Sequence, residues 1–255
     1  MNFPLLLMSF GVGVLIGLTS MGGAALMAPF LILVLGVRPV TAVGTDLAYG
    51  AVTKITGAWV HLRQGTVDLP TVRKLATGSV PAGILGSIAV ILLPRVTHQA
   101  QFYVQKAIGA LLVIVALILV VRLLVPATDT VLSVRRQKFF EGRGTVIWGA
   151  VVGFCVGATS VGSGSLLTPF LMMLFPFKPS KVVGTDIVHA AVLVSVTGLV
   201  HAGASGVEWS LVPWLLAGSI PGVLLGSRLA VSIPPRPLRT LLAALLLVTG
   251  YRMAF

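Results

Sequence analysis

The chain repeats itself after 140 residues, and this duplication constrains its fold more than any single motif. Ser20 recurs as Ser160 and Asp46 recurs as Asp186, each 140 positions later. Longer stretches align at the same offset without a gap: GTD at 44–46 with GTD at 184–186, and TGSVPAGILGS at 77–87 with AGSIPGVLLGS at 217–227. Chance similarity between apolar stretches would match leucine and valine, but not serine and aspartate in register. The chain is therefore predicted to contain two structurally equivalent units.

Each unit is a set of apolar segments suited to a membrane. Of the 255 residues, 56% are hydrophobic and 9% are charged, whereas a soluble domain carries roughly 25% charged residues. A soluble fold of this composition would expose large apolar patches and aggregate. The predicted fold class is an all-α polytopic membrane protein with five segments in each half. They are 3–18, 24–36, 40–61, 75–93 and 102–125, then 145–158, 164–177, 182–201, 211–231 and 238–254.

The number of crossings predicts that the two halves are inverted. The third to fifth segments of each half are long enough to span, since a span needs about 20 residues. The first two are short and are joined by a polar, glycine-rich break. They form either tilted or partly unwound spans, or a re-entrant hairpin, and in both cases the break must be buried or line a cavity. Both alternatives leave an odd number of crossings, so the second half has the opposite orientation.

The basic residues support this topology. If the loop between the third and fourth segments is cytoplasmic, 13 Lys and Arg residues lie inside, 4 lie outside and Lys54 lies within a span. Such a bias follows the positive-inside rule. The predicted domains are a first repeat at 1–125, a basic cytoplasmic linker at 126–143 and an inverted repeat at 144–255. Both termini are predicted to be extracytoplasmic.

Three pairs of motifs resemble those of a known family. The phrases GLTSMGG…PF (17–30) and GATSVGSG…PF (157–170) are each followed by VGTD, and the fourth segments carry GSxPxGxLGS-like sequences. In this order they resemble the TauE/SafE family of sulfite-exporter-like bacterial membrane transporters, and the resemblance covers nearly the whole chain. It implies transport of sulfur-containing anions, such as sulfite and organosulfonates, across the bacterial cytoplasmic (inner) membrane.

The paired polar phrases are the predicted substrate site. Their Thr-Ser pairs precede the second segments, where a hydroxyl is expected to cap a helix N-terminus. The following glycines would let backbone N–H groups approach an oxyanion, which the positive end of a helix favours. Close helix packing by small residues is the alternative role. The predicted substrate-binding residues are Thr19, Ser20, Gly22, Gly23, Thr45, Thr159, Ser160, Gly162, Ser163, Gly164, Ser165 and Thr185. The second copy offers more hydroxyls, and substrate contact is expected there first.

Ionisable residues inside the third segments are predicted to couple transport or to shape the site. A carboxylate within a span is costly and is usually functional. Asp46 and Asp186 are expected to bind a proton or a cation or to hold the Thr-Ser break, with satisfaction of backbone donors as the structural alternative. Lys54 has Val194 at the matching position. It is expected to contact the anion or an acid, unless its side chain snorkels toward the inner face.

The histidines have weaker signals. His189 replaces Tyr49 of the first half and lies three residues after Asp186. His189 and Tyr49 are both predicted to couple transport or to shape the site, and His189 is expected to take part in proton coupling. His61 and His201 lie at segment ends and are predicted to be interfacial anchors. Scattered histidines and the single cysteine form no metal-ligand pattern, so no metal or cofactor is predicted.

The predicted function is secondary transport of a small anion by alternating access, with protons as the candidate coupling ion. Inverted repeats are typical of such transporters. An anion channel of the same architecture is the alternative, and an intramembrane enzyme is disfavoured because the sequence shows no H-E-x-x-H motif or nucleophile–base pair. The expected partners are the anion, protons and the lipid bilayer, and the sequence is compatible with an oligomer. The basic residues form no stripe with aromatics, so no nucleic acid is expected.

Overall fold

The computed structural model describes residues 3–20, 22–124, 140–175, 177–204, 206–230, 232 and 235–255. In these ranges the regular structure is helical throughout, which confirms the all-α prediction. Ten α-helices follow one another, with a short π-helical turn (Phe140–Gly144) before the sixth. They are α1 Phe3–Thr19, α2 Gly22–Leu33, α3 Pro39–Arg63, α4 Leu69–Val96, α5 Ala100–Leu124, α6 Thr145–Thr159, α7 Leu167–Leu174, α8 Pro179–Gly203, α9 Val212–Leu229 and α10 Pro235–Ala254. Most of the predicted 126–143 linker lies outside the described residues.

Prolines set the starts of the long central helices. Pro39 begins α3 and Pro179 begins α8. Proline suits the first turn of a helix because its φ is already helical and its missing N–H would have no partner there. In α4, Asp68 precedes the first turn and accepts a hydrogen bond from the backbone N–H of Thr71 at 3.2 Å. These local signals explain why the predicted segments and the observed helices agree closely.

Four of the described helices, α4, α5, α8 and α9, are long and apolar enough to cross a membrane. Their outer faces carry large apolar side chains that are about half exposed or more, including Leu85, Ile114, Leu199 and Leu225. Lipid, rather than water, accommodates such a surface. The chain is a multi-pass membrane protein.

The second helix of each half is too short to cross alone. At 1.5 Å per residue, the 12 residues of α2 extend about 18 Å and the 8 residues of α7 about 12 Å. The apolar core of a bilayer is about 30 Å thick. The polar breaks before α2 and α7 therefore lie inside the protein, and Ser20, Ser160, Ser163 and Ser165 are all buried.

Helices of the two halves interleave instead of forming separate lobes. α1 packs along α9, α4 along α6, α3 along α8 and α5 along α10. Two matching glycines allow the first two contacts. A Cβ on Gly13 would lie 2.4 Å from the carbonyl oxygen of Ser219, and one on Gly153 would lie 2.1 Å from that of Ser79. The lack of a side chain at these two positions lets the paired helix backbones touch.

α3 and α8 cross the centre of the protein in opposite directions. Near the start of α8, the Thr185 hydroxyl accepts a hydrogen bond at 2.9 Å from the N–H of Asp68, which follows α3. Near the start of α3, the Thr45 hydroxyl accepts one at 2.9 Å from the N–H of Glu208, which follows α8. Each helix therefore begins where the other has ended, and the pair is antiparallel.

Candidate functional site

The Thr-Ser pairs end helices and do not cap the following ones. Ser20 and Ser160 have φ angles of 61° and 65°, the left-handed conformation common just after a helix. The hydroxyls of Thr19 and Thr159 donate to the carbonyl four residues earlier in their own helices, at 2.7 Å each. The N-cap prediction is wrong because these pairs terminate α1 and α6. In the second half α7 begins only at Leu167, after a further turn.

The glycines of the two phrases shape these turns. Gly22 and Gly23 open α2. Gly162 has a φ of 123°, which side chains other than glycine rarely adopt, and the carbonyl of Gly164 accepts the N–H of Thr168 at 3.1 Å. None of the four lines the central cavity described below, so their predicted contact with substrate has no support from this geometry.

Each GTD motif ties one half of the chain to the other. Gly44 lets the loop after α8 approach, because a Cβ there would lie 2.1 Å from the carbonyl oxygen of Gly206. The Thr45 hydroxyl donates to the carbonyl of Thr41 at 2.8 Å and accepts from Glu208. Thr45 and its counterpart Thr185 thus hold loops, and neither borders the cavity. Their role as substrate ligands stays a prediction that this geometry does not support.

The two aspartates face the serine-rich breaks. The Ser160 hydroxyl donates to Asp46 Oδ2, a contact between the two halves. A left-handed serine costs roughly 1 kcal/mol or more relative to glycine, and this hydrogen bond to a buried carboxyl group offsets that cost. Asp186 differs: Thr168 of α7 donates to its Oδ2 at 2.6 Å, while Ser20 lies beside it without a well-formed hydrogen bond.

Lys54 is the one buried lysine or arginine among the side chains that the structure describes. Its ammonium donates to the Ser163 hydroxyl at 2.5 Å. Its charge faces Asp186 and, more weakly, Asp46, yet in the described ranges no carboxylate oxygen lies within 4.0 Å of it. A lysine ammonium has three donors, so this one retains capacity for an anion. The snorkelling alternative for Lys54 is wrong, because its side chain turns into the centre.

Several departures from the internal repeat lie at this site. Where the second half has serine or threonine in the break and in α7, the first half has small apolar residues or glycine. Lys54 and Ser163 contact each other, and both exist in one copy only. The non-matching pairs are Lys54 with Val194, Gly23 with Ser163, Ala25 with Ser165, Ala28 with Thr168 and Tyr49 with His189. The symmetric scaffold therefore holds an asymmetric centre.

A cavity of about 10 Å³ lies between the two halves, close to the smallest space that admits one water molecule. Both halves contribute to its wall. The lining residues are Ile16, Asp46, Tyr49, Gly50, Lys54, Ser160 and Val194. Four predicted site residues, Asp46, Tyr49, Lys54 and Ser160, are thus brought together.

Several buried polar atoms in this region have no hydrogen-bond partner among the described residues. Native interiors leave few such atoms unsatisfied unless a water or ligand serves them. They are Ser20 Oγ, Tyr49 Oη, Ser165 Oγ, Asp186 Oδ1 and His189 Nδ1. The centre therefore has unused donors and acceptors next to a buried charge, which is what a polar ligand requires.

The histidines are all closer to the core than the sequence indicated, apart from His98 in the loop after α4. His189 Nε2 pairs with the Ser79 hydroxyl of α4 at 2.8 Å. His61 and His201 are fully buried, and His201 Nε2 lies 3.1 Å from the carbonyl oxygen of Gly157. The interfacial anchoring predicted for His61 and His201 is wrong, because both rings are fully buried inside the protein although other faces of α3 and α8 are exposed.

Two residues of the site were missed in the sequence. Thr168 holds Asp186, and its signal was present, since Ala28 stands at the matching position of the first half. Ser79 holds His189, but its counterpart Ser219 is identical. A comparison of the two copies could have identified Thr168, because its counterpart differs. It could not have distinguished Ser79 from a residue that serves only in packing.

At the edge of the protein, Asp68 forms an ion pair with Lys181 at 2.9 Å. Partial burial raises the pKa of Asp68, but hydrogen bonds from Lys181 and Thr71 outweigh this, and the net pKa lies below its usual value. The pair links the loop after α3 to the start of α8. In the first half, the position that matches Lys181 is Thr41. This ion pair therefore involves a lysine that only one of the two copies has.

The fold and the site define a helical membrane protein with a buried, charged centre shared by two repeated halves. Its family follows from comparison with known proteins. The profile described as "Sulfite exporter TauE/SafE" matches residues 5–253, and the chain belongs to this family, as the sequence motifs indicated.

Relatives with curated names are similar over nearly their full length. "Probable membrane transporter protein YjnA" of Bacillus subtilis (strain 168) is 41% identical, over 99% of this chain and 100% of that protein. "Probable membrane transporter protein YdhB" of the same organism is 22% identical over 98% and 99%. "Probable membrane transporter protein y4hK" of Sinorhizobium fredii is 28% identical over 86% and 84%. No solved structure matches the chain significantly.

Proposed function

We propose that the protein is a secondary transporter that carries a small sulfur-containing anion, such as sulfite or an organosulfonate, across the bacterial inner membrane by alternating access. The observation that carries this proposal is the buried contact between Lys54 and Ser163, where α3 of one half meets the break of the other. An ammonium inside a membrane is costly, and such residues mark substrate or ion pathways. The sulfur chemistry rests on the family description.

The proposed topology is a pair of inverted repeats, 1–125 and 144–255, joined by a cytoplasmic linker at 126–143. The antiparallel packing of α3 and α8, which are copies of one another, supports it. The reciprocal contacts of Thr45 with Glu208 and of Thr185 with Asp68 support it equally. Together with the excess of Lys and Arg on one side, this arrangement supports a topology with both termini outside the cytoplasm.

The enclosed site favours a carrier over a channel. Asp46, Lys54, Ser160 and Asp186 are each at most 2% exposed, and the cavity that the first three of them help to line has room for about one water molecule. Sulfite and sulfonates are larger, so binding requires movement of the surrounding helices. Because α1 packs on α9 and α4 on α6, each moving body would combine helices from both halves.

Transport into proteoliposomes tests the proposal. Purified full-length protein is reconstituted, and uptake of radiolabelled sulfite is measured against empty liposomes and with unlabelled sulfite inside. We expect saturable uptake with counterflow. Unsaturable conductance of many anions would instead identify a channel. A thermal-shift series with sulfite, sulfate, thiosulfate and organosulfonates tests the substrate class, and stabilisation by none of them would contradict it.

Two lysine variants separate the site from general charge effects. Lys54→Val places at position 54 the residue found at its counterpart Val194. This variant is expected to lower sulfite affinity by about a hundredfold or more, since it removes the buried positive charge that would face the bound anion. Lys178→Gln removes an exposed lysine and is expected to transport normally. Equal uptake by the Lys54→Val protein and the wild type would refute the assigned site.

A further inference from the structure

The centre of the protein contains more negative groups than positive ones. Asp46 and Lys54 lie on α3, Asp186 lies on the facing α8, and all three are at most 2% exposed. Among the described side chains, no other Asp, Glu, Lys or Arg is buried. One ammonium can neutralise only one carboxylate. A second, uncompensated carboxylate in a dry interior is costly, and protonation is the usual relief.

The other titratable groups that face these three are Tyr49 of α3 and His189 of α8. Neither supplies a balancing positive charge at low cost, because a cationic His189 would add a second buried cation beside Lys54. The remaining neighbours are hydroxyls: Ser160 after α6 and Thr168 of α7, Ser20 after α1, and Ser79 of α4. α9 contributes the Ser219 hydroxyl, which bonds to Thr53.

The position of Lys54 explains why the three groups act together. Asp46 and Lys54 are eight residues apart, about 12 Å along α3. Because α8 runs antiparallel, this step brings Lys54 toward the level of Asp186, whose charge it faces more strongly than that of Asp46. The ammonium contacts Ser163 and neither carboxylate, so an incoming anion need not displace a formed ion pair.

We propose that Asp46, Lys54 and Asp186 form an electroneutral site that takes up one proton with each monovalent anion and rejects divalent anions. Without anion, one positive and one negative charge balance, and one carboxyl group is protonated. A monovalent anion at Lys54 replaces the carboxylate as the balancing charge, and the second carboxyl group then takes up a proton from water. With both carboxyl groups protonated the site offers a single net positive charge, so a dianion stays uncompensated.

This inference rests on the proposed function, since it specifies the substrate charge and the coupling ion of the same site. Both readouts use methanesulfonate, a monovalent anion that does not itself titrate near neutral pH, and the second readout also uses sulfite. The first is proton uptake by the purified full-length protein in detergent and weak buffer, followed with a pH dye as the anion is added. The second is proteoliposome uptake of methanesulfonate or sulfite under an imposed pH gradient or membrane potential.

We expect about one proton to be taken up for each methanesulfonate bound. Sulfate should bind roughly a hundredfold more weakly than methanesulfonate. The rate of uptake into proteoliposomes should depend on the pH gradient and not on the membrane potential. The double variant Asp46→Asn, Asp186→Asn should bind methanesulfonate without proton uptake. Either single variant should retain it, because one carboxyl group remains. The matched control, Asp68→Asn with Glu208→Gln, changes two carboxylates outside the site and should behave as the wild type.

The outcomes distinguish this inference from the function on which it rests. Saturable uptake that is driven by membrane potential without proton flux would overturn the coupling and leave the transporter intact. Sulfate binding as tight as methanesulfonate binding would do the same. Loss of proton uptake in His189→Gln alone would move the proton to that histidine and refute the assignment. No uptake of either sulfur anion would overturn the proposed function itself. If the double variant fails to fold, the wild-type proton count still decides.

Discussion

The two left-handed serines make a quantitative prediction, because they share a backbone conformation and differ in their hydrogen bonds. Ser160 donates to buried Asp46, whereas the Ser20 hydroxyl is buried without a partner in the described part of the chain. Replacing each serine with alanine removes the hydroxyl and keeps the Cβ. Replacing it with glycine removes both. The four variants separate the hydrogen bond from the backbone cost.

The expected magnitudes follow from these contacts. Ser160→Ala should destabilise the protein by about 1 to 3 kcal/mol, the usual cost of leaving a buried hydrogen-bond acceptor without its partner. Ser160→Gly loses the same bond but removes the left-handed strain of roughly 1 kcal/mol. It should therefore be about 1 kcal/mol more stable than Ser160→Ala. Ser20→Ala should stay within about 0.5 kcal/mol of wild type, and Ser20→Gly should be about 1 kcal/mol more stable than wild type.

Thermal unfolding of the purified protein in detergent, followed by tryptophan fluorescence at a fixed heating rate, measures these differences. For a chain of this length, 1 kcal/mol corresponds to about 2 to 4 °C in Tm. The order of Tm should be Ser160→Ala, then Ser160→Gly, then wild type. A Ser160→Gly protein that melts at or below Ser160→Ala would refute the strain argument. A Ser20→Ala protein that loses as much as Ser160→Ala would refute the difference between the two copies.

Four further substitutions are expected to have measurable effects. Gly153→Ala should lower stability by about 2 kcal/mol or more, since its Cβ would lie 2.1 Å from the Ser79 carbonyl oxygen; Gly11→Ala, with nothing within 4 Å, should raise Tm slightly. Thr185→Val should cost about 1 kcal/mol because it removes the acceptor of the Asp68 N–H, and a Tm unchanged from wild type would contradict that role. The pKa of Asp68 is lower in the folded protein, so its stabilisation should be complete above its unfolded pKa of about 3.9 and fade as pH falls through the folded value. Asp68→Asn should flatten that part of the Tm–pH curve, and an unchanged acid limb would exclude the ion pair as its source.

The helices and the membrane class were predictable because their signals are local. Apolar runs of a fixed length, bounded by Pro39, Pro179 and Asp68, need only neighbouring residues to be interpreted. The duplication also drew attention to Lys54 and Ser163, which are departures from the repeat and contact each other in the structure. The family followed from the same motifs.

The roles of the polar motifs were not predictable in the same way. Thr159-Ser160 looks like an N-cap in sequence, and the choice between ending α6 and starting α7 depends on whether Ser160 can reach Asp46, 114 positions away. Thr45 looks like a ligand beside an aspartate, but the loop after α8 occupies its hydroxyl. Both outcomes depend on contacts between segments that are distant in the chain.

From sequence alone one obtains the repeat, the ten apolar segments and a small set of polar residues that cannot be left exposed to lipid. Packing decides which of those polar residues meet. Because α3 and α8 run antiparallel and interleave with helices of the opposite half, Ser160 pairs with Asp46 and Lys54 with Ser163, while Thr45 and Thr185 are drawn to loops. The physical reason is that a buried polar group must find a partner, and only the tertiary structure determines which partners come within hydrogen-bond distance.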